Sequence, residues 1–155
     1  MMNKRISRLI LTLLFSGFVF FAACSKPEVH DALDKPISLQ DMKGKWILLN
    51  YWADWCAPCS QEIPALNQIN QKYKNKVAVL AINFDELPKS QLQQSIRENK
   101  INYPVVTKSF GARFFGISDI KSLPVTYVIN SDRKIVKELY GAQTVESFKD
   151  AIGLV

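Results

Sequence analysis

The chain has 155 residues and a formal net charge of +6, with 48% hydrophobic and 22% charged side chains, three cysteines and one histidine. That length suits a single domain, and the composition excludes a disordered or fibrous chain. Three cysteines are too few for a disulfide-stapled miniprotein, and one histidine argues against an imidazole-built metal site, so neither metal nor cofactor is expected.

At the start, Lys4, Arg5 and Arg8 form a basic stretch without acids, and an apolar run follows over residues 9–21 before Ala22, Ala23 and Cys24. This is the layout of an export signal, and the run is shorter than the ~20 apolar residues a spanning helix needs. Residues 1–23 are therefore set apart from the fold. Three of the net six positive charges leave with them. The remaining lysines are scattered among acids, with no basic run interleaved with aromatics, so no nucleic-acid partner is expected. Residues 24–35 are polar and contain Pro27; they read as a tether in which His30 is solvated. The folded domain is expected over residues 36–155.

Strand and helix signals then alternate. Residues 46–52 (W-I-L-L-N-Y-W) form a nearly continuous apolar run, as in a strand covered on both faces. Residues 57–74 read as a helix in which Cys59, Ile63, Leu66, Ile69 and Tyr73 share one face, with Pro64 expected to kink it. A second buried strand follows at 77–84, then a polar amphipathic helix at 91–99, a short strand at 103–107 and a short helix at 109–115 ended by Gly116. Strands at 125–129 and 135–140 flank a hairpin signal at 130–133, and a last helix covers 145–152. This order predicts an α/β fold with a mixed central sheet and helices on both faces.

The chemistry lies where the first buried strand meets the first long helix, at Trp55-Cys56-Ala57-Pro58-Cys59. Two cysteines three apart, with a helix beginning between them, bring both sulfurs within bonding reach at a helix N-terminus. Unsatisfied amide hydrogens and the macrodipole there favour a thiolate on Cys56. Pro58 suits the first turn, where its missing N–H costs nothing. Cys56 is expected to be exposed and to attack; Cys59 faces the core with Ile63 and Leu66 and is expected to resolve. Half of a zinc site would need a second pair of ligands, and a structural disulfide closing so short a loop contributes little stability. Redox exchange accounts for the pair better than either.

The run from Lys45 to Cys59, followed by Glu62 and Pro64, resembles the thioredoxin superfamily. More narrowly, C-x-x-C-x-x-E-x-P is similar to the TlpA/ResA-like membrane-anchored thiol–disulfide oxidoreductases. The likeness extends through Leu123-Pro124-Val125-Thr126-Tyr127-Val128-Ile129 to Gly141 and covers about residues 37–152. It implies a thioredoxin-like fold, a redox pair at Cys56 and Cys59, and a cis-proline at Pro124 beside the disulfide. Leu123 would then pair with an extended client, and Trp55, Ala57 and Pro58 would complete the client-binding rim; an ordinary strand-start proline is the other reading of Pro124. Asn50 stands where thioredoxin keeps a buried acid. Members with asparagine there carry an acid after the next strand, a place held by Glu86 or, failing that, Asp85; the alternative is a solvated loop acid. Val125 replaces a common threonine, and Arg133 replaces a turn glycine. A peroxidase wants threonine three residues before its reactive cysteine, where this chain has Ala53.

Phe21-Ala22-Ala23-Cys24 resembles a bacterial lipobox, with Phe21 in place of the usual leucine. It implies cleavage before Cys24 and lipid on its thiol; a stray cysteine in an uncleaved anchor is the other reading. Together these resemblances imply a monomeric envelope lipoprotein on the extracytoplasmic side, reducing disulfides of exported clients such as cytochrome c apoprotein, with electrons from a membrane donor. The same site run as an oxidase or isomerase, or a non-catalytic binder of client peptide or copper(I), are the alternatives.

Overall fold

The computed structural model describes residues 29–154. Strand β1 (Val29–His30) and β2 (Pro36–Ile37) make a small antiparallel hairpin. The main elements follow: β3 (Trp46–Trp52), α1 (Ala57–Lys72), β4 (Val77–Asn83), α2 (Lys89–Glu98), β5 (Val105–Val106), α3 (Lys108–Phe115), β6 (Val125–Ile129), β7 (Ile135–Tyr140) and α4 (Val145–Ala151). The five-stranded sheet has the order β5-β4-β3-β6-β7; β3, β4 and β5 run parallel, and β6 and β7 are antiparallel to their neighbours.

The period-two geometry of β3 divides the core. Leu48 and Trp52 face one way and pack with Ile63, Leu66 and Ile69 of α1, Ile96 of α2 and Phe148 of α4. Ile47, Leu49 and Tyr51 face the other way and pack with Phe110 of α3, Ile37 and Met42. Helices thus cover both faces, as the alternating pattern implied. α3 approaches the sheet closely: a Cβ on Gly111 would meet the Tyr51 hydroxyl and lie 2.9 Å from Ile82 Cδ1. α1 runs without interruption through Pro64, which lies on its exposed side. β7 has exposed Ile135, Val136 and Tyr140, so it is a sheet edge and not a core strand. In the β6–β7 turn, Asn130 Oδ1 accepts from the amides of Asp132 and Lys134, and Arg133 takes φ 65° where glycine would be unstrained.

The segment from Val29, expected to be a free tether, is part of the fold. Asp31 is buried, and its Oδ1 accepts from the amides of Leu33 (2.8 Å) and Lys35 (2.9 Å), which closes the hairpin. The amide of Ala32 donates to the Val105 carbonyl at the β5 edge, Gln93 Nε2 donates to the Ala32 carbonyl, and Lys89 pairs with Asp34. Ala32 and Leu33 also pack against one core cluster, and Val29 and Ile37 join the other, so backbone, carboxylate and apolar contacts together hold the segment. His30 itself remains exposed. Cys24 and the export signal lie outside the described residues.

Candidate active site

β3 ends at Trp52, and the short turn 53–55 delivers Cys56 to the N-cap of α1, with φ −91° and ψ 92°. Cys56 Sγ accepts from the Cys59 amide at 3.3 Å, and Pro58 occupies the first turn. No acid stands in that turn, so the amide field at the helix end is not neutralised from within the helix. Cys56 and Cys59 form a disulfide, with Cα atoms 5.3 Å apart. Cys59 is fully buried, whereas Cys56 is 4% exposed. Cys56 was expected to be exposed. Bonded to Cys59, it instead packs in the same cluster as Trp52, Ala53 and Ile63, and is only the less deeply covered residue of the pair.

Trp55 is the exposed marker of the site, with 66% of its surface open. Its Nε1 donates to Asp85 Oδ2 at 2.9 Å, and its ring stands edge-on to Phe84 at 6.5 Å. Lys108 Nζ lies 4.5 Å from the Phe84 ring centre. On the opposite side, the Leu123–Pro124 peptide is cis, as the resemblance implied. Pro124 is buried, Leu123 packs against the cluster that contains both cysteines, and Val125 pairs with Tyr51 near the end of β3.

Beneath the disulfide, the fold buries an acid that the sequence reading left without a role. Glu62 is one turn from Cys59, on the same inward face of α1, and is 1% exposed. Its Oε1 accepts from Asn50 Nδ2 at 2.6 Å, and its Oε2 from the Gln143 amide at 3.3 Å; Asn50 Nδ2 also donates to Thr126 Oγ1 at 3.0 Å. Burial pushes the Glu62 carboxyl up to about 7, against the opposing effect of those two hydrogen bonds. Tyr103, buried in the same core, is raised by its own burial and then by the nearby Glu62 charge. Asn50 thus does not replace a buried acid; it donates to one supplied by α1. A carboxylate within a helix's apolar stripe was the sequence signal for this.

The acids after β4 are placed differently. Asp85 holds Trp55, while Glu86 is exposed, has φ 52°, and makes no hydrogen bond among the described residues. The left-handed turn carries the Glu86 side chain outward, so the acid the fold buries on the face of the inner cysteine is Glu62.

A mixed five-stranded sheet with a C-x-x-C disulfide at the N-cap of its first long helix defines a thioredoxin-like thiol–disulfide oxidoreductase. Residues 22–138 match the AhpC/TSA family, and the chain belongs to it. It is 32% identical to the thiol-disulfide oxidoreductase ResA of Bacillus thuringiensis (strain Al Hakam) over 164 residues, covering 95% of this chain and 94% of that protein. It is 29% identical to the thioredoxin-like protein YneN of Bacillus subtilis (strain 168), with 99% of each covered. Its fold is similar to that of the pneumococcal exposed lipoprotein thioredoxin (Etrx1) of Streptococcus pneumoniae strain TIGR4, with a TM-score of 0.66 and 22% identity over 83% of this chain and 98% of that one.

Proposed function

We propose that the protein is a membrane-anchored disulfide reductase for exported proteins, with Cys56 as the attacking thiol and Cys59 as the resolving one. The observation that carries this reading is a C-x-x-C disulfide at an acid-free helix N-terminus, with the less covered cysteine outermost and a buried carboxyl one turn inward. In the reduced protein, the Cys56 thiolate attacks a client disulfide. A Cys56–client bond forms, and the other client sulfur leaves as a thiolate that takes a proton. Glu62, when ionised, accepts the Cys59 proton; the Cys59 thiolate then attacks Cys56 and releases the second client thiol. Two electrons pass to the client, and a membrane dithiol donor restores the Cys56 and Cys59 thiols.

Glu62 takes the proton role first sought at Glu86. Leu123 pairs with an extended client, and the exposed Trp55, Ala57 and Pro58 form the rim that the client meets. Lipid on Cys24 holds the domain at the extracytoplasmic face, where apocytochrome c thiols are among the clients a reductase would serve.

Trapping clients on the Cys59→Ala variant tests the assignment. Covalent adducts at Cys56, released by dithiothreitol, are expected. Adducts that form only on Cys59 in the Cys56→Ala variant would reverse the two roles. Equilibration with glutathione tests the direction: a reductase has a midpoint potential more reducing than that couple, and a more oxidising value indicates an oxidase or isomerase.

A further inference from the structure

We propose that Ser95 and Asn99 of α2 are positioning residues for the redox pair, clamping the chain on both sides of it. Asp54, two residues before Cys56, accepts at Oδ1 from Ser95 Oγ and from Asn99 Nδ2 (3.1 Å). Ser60, directly after Cys59, donates from Oγ to Asn99 Oδ1 in a long hydrogen bond of 3.5 Å. Asn99 therefore bridges the two ends of the C-x-x-C segment.

The bridge is itself fixed. Asn99 caps the C-terminus of α2 with its amide on the Ser95 carbonyl, and its Nδ2 reaches that carbonyl at 3.0 Å. The turn that follows is pinned to α1. Asn67 Nδ2 donates to the Lys100 carbonyl, Asn67 Oδ1 accepts from the Asn102 amide, both at 2.8 Å, and Asn70 Nδ2 donates to the Asn102 carbonyl at 3.0 Å. A closed circuit results: Cys59 rides on α1, α1 holds the 100–102 turn, that turn continues α2, and α2 holds Asp54 next to Cys56. It joins the two thiols without using the disulfide.

Its work falls in the reduced state. Once the S–S bond is broken, nothing covalent beyond the chain keeps Cys56 opposite Cys59. A held loop preserves a high effective concentration of one thiol at the other. That concentration sets both the equilibrium for disulfide formation and the rate at which Cys59 releases a client from Cys56. The rate rests on the roles assigned above; the equilibrium does not depend on which cysteine attacks.

The test uses Ser95→Ala/Asn99→Ala in the full chain, with glutathione as redox buffer and a short disulfide-bonded peptide as client. The equilibrium constant for closing the Cys56–Cys59 bond should fall roughly fivefold to tenfold, or about 20–30 mV toward a more oxidising potential at about 29.6 mV per tenfold. Release of the peptide from Cys56 should slow by a similar factor, while the first attack on the peptide stays within twofold. Asp54→Asn, which keeps an oxygen facing Ser95 and Asn99, should remain near wild type, and Asp54→Ala should follow the double variant. Where the double variant does not fold, Asn99→Ala carries the same expectations at smaller size. An unchanged potential and release rate in a folded variant would reduce the cluster to ordinary packing. Absence of a Cys56–client adduct in the Cys59→Ala variant would instead overturn the roles and leave the potential shift standing.

Discussion

A carboxyl group held inside a protein with two hydrogen bonds and no cation is a proton store, and Glu62 is placed to act as one. The folded state holds the Glu62 proton up to about pH 7, whereas its ordinary value is 4.5. Below pH 4.5 both states carry the proton. Above that the unfolded chain releases it first, so stability falls as pH rises and levels off once the folded carboxyl has ionised near 7. The loss through this one group is roughly 3 kcal/mol. Glu62→Gln should lack that slope, as urea unfolding at pH 5 and pH 8 will show, and should slow the resolving step at neutral pH. At the same scale, Cys56 and Cys59 differ in helix position and cover. In the reduced protein, Cys56 should be alkylated first by iodoacetamide, and mass spectrometry of partly labelled protein should find little Cys59 product.

Among the elements, α3 and the N-terminal hairpin make the sharpest predictions. Gly111 lies where any side chain would press on the Tyr51 hydroxyl and Ile82. Both belong to the buried sheet face, so the intruding methyl cannot be relieved by an outward swing. Gly111→Ala should cost about 1–3 kcal/mol in urea unfolding, despite the better helix propensity of alanine. Asp31 works through hydrogen bonds instead. Removing its carboxylate leaves the amides of Leu33 and Lys35 without their acceptor in a part-buried turn. Asp31→Ala should loosen the hairpin and speed hydrogen exchange at the Ala32 amide, which donates to Val105, while the centre of β3 stays protected.

For the whole molecule, the parallel arrangement of β3 and β4 brings the ends of both strands to one edge of the sheet. The edge collects Cys56 from the β3–α1 turn, Trp55 against Phe84 and Asp85, and the start of β6 at Pro124. The chemistry therefore sits at the carboxyl end of β3 and β4. If the anchor is lipid on Cys24, Cys24→Ser should release the protein from membranes or leave residues 1–23 attached. Disulfide exchange by the domain should continue unchanged in either case. Fractionation of the envelope followed by mass measurement checks both outcomes, and a wild-type protein found wholly in the soluble envelope fraction would exclude the lipid.

Elements with a regular period or a distinct motif were legible before the fold was seen. The strands Trp46–Trp52 and Val125–Ile129, the start of α1, and the pair Cys56 and Cys59 all depend on near neighbours in the chain, whose spacing is written in the residue order. A parallel sheet buried on both faces also announces itself by continuous apolar runs. The hairpin from Val29 was not legible, because its hold comes from Asp31, from apolar packing against both core clusters and from backbone partners at Val105, far along the chain. Glu62 and Glu86 were separated by geometry of the same kind. Both are acids near the motif, but one lies on the inward face of α1 against Asn50 and Gln143, and the other is turned out by a left-handed backbone. Spacing reports which groups share a face. Which acid is buried, and so holds its proton near neutral pH, depends on what other segments pack against it, and only the assembled fold brings those segments together.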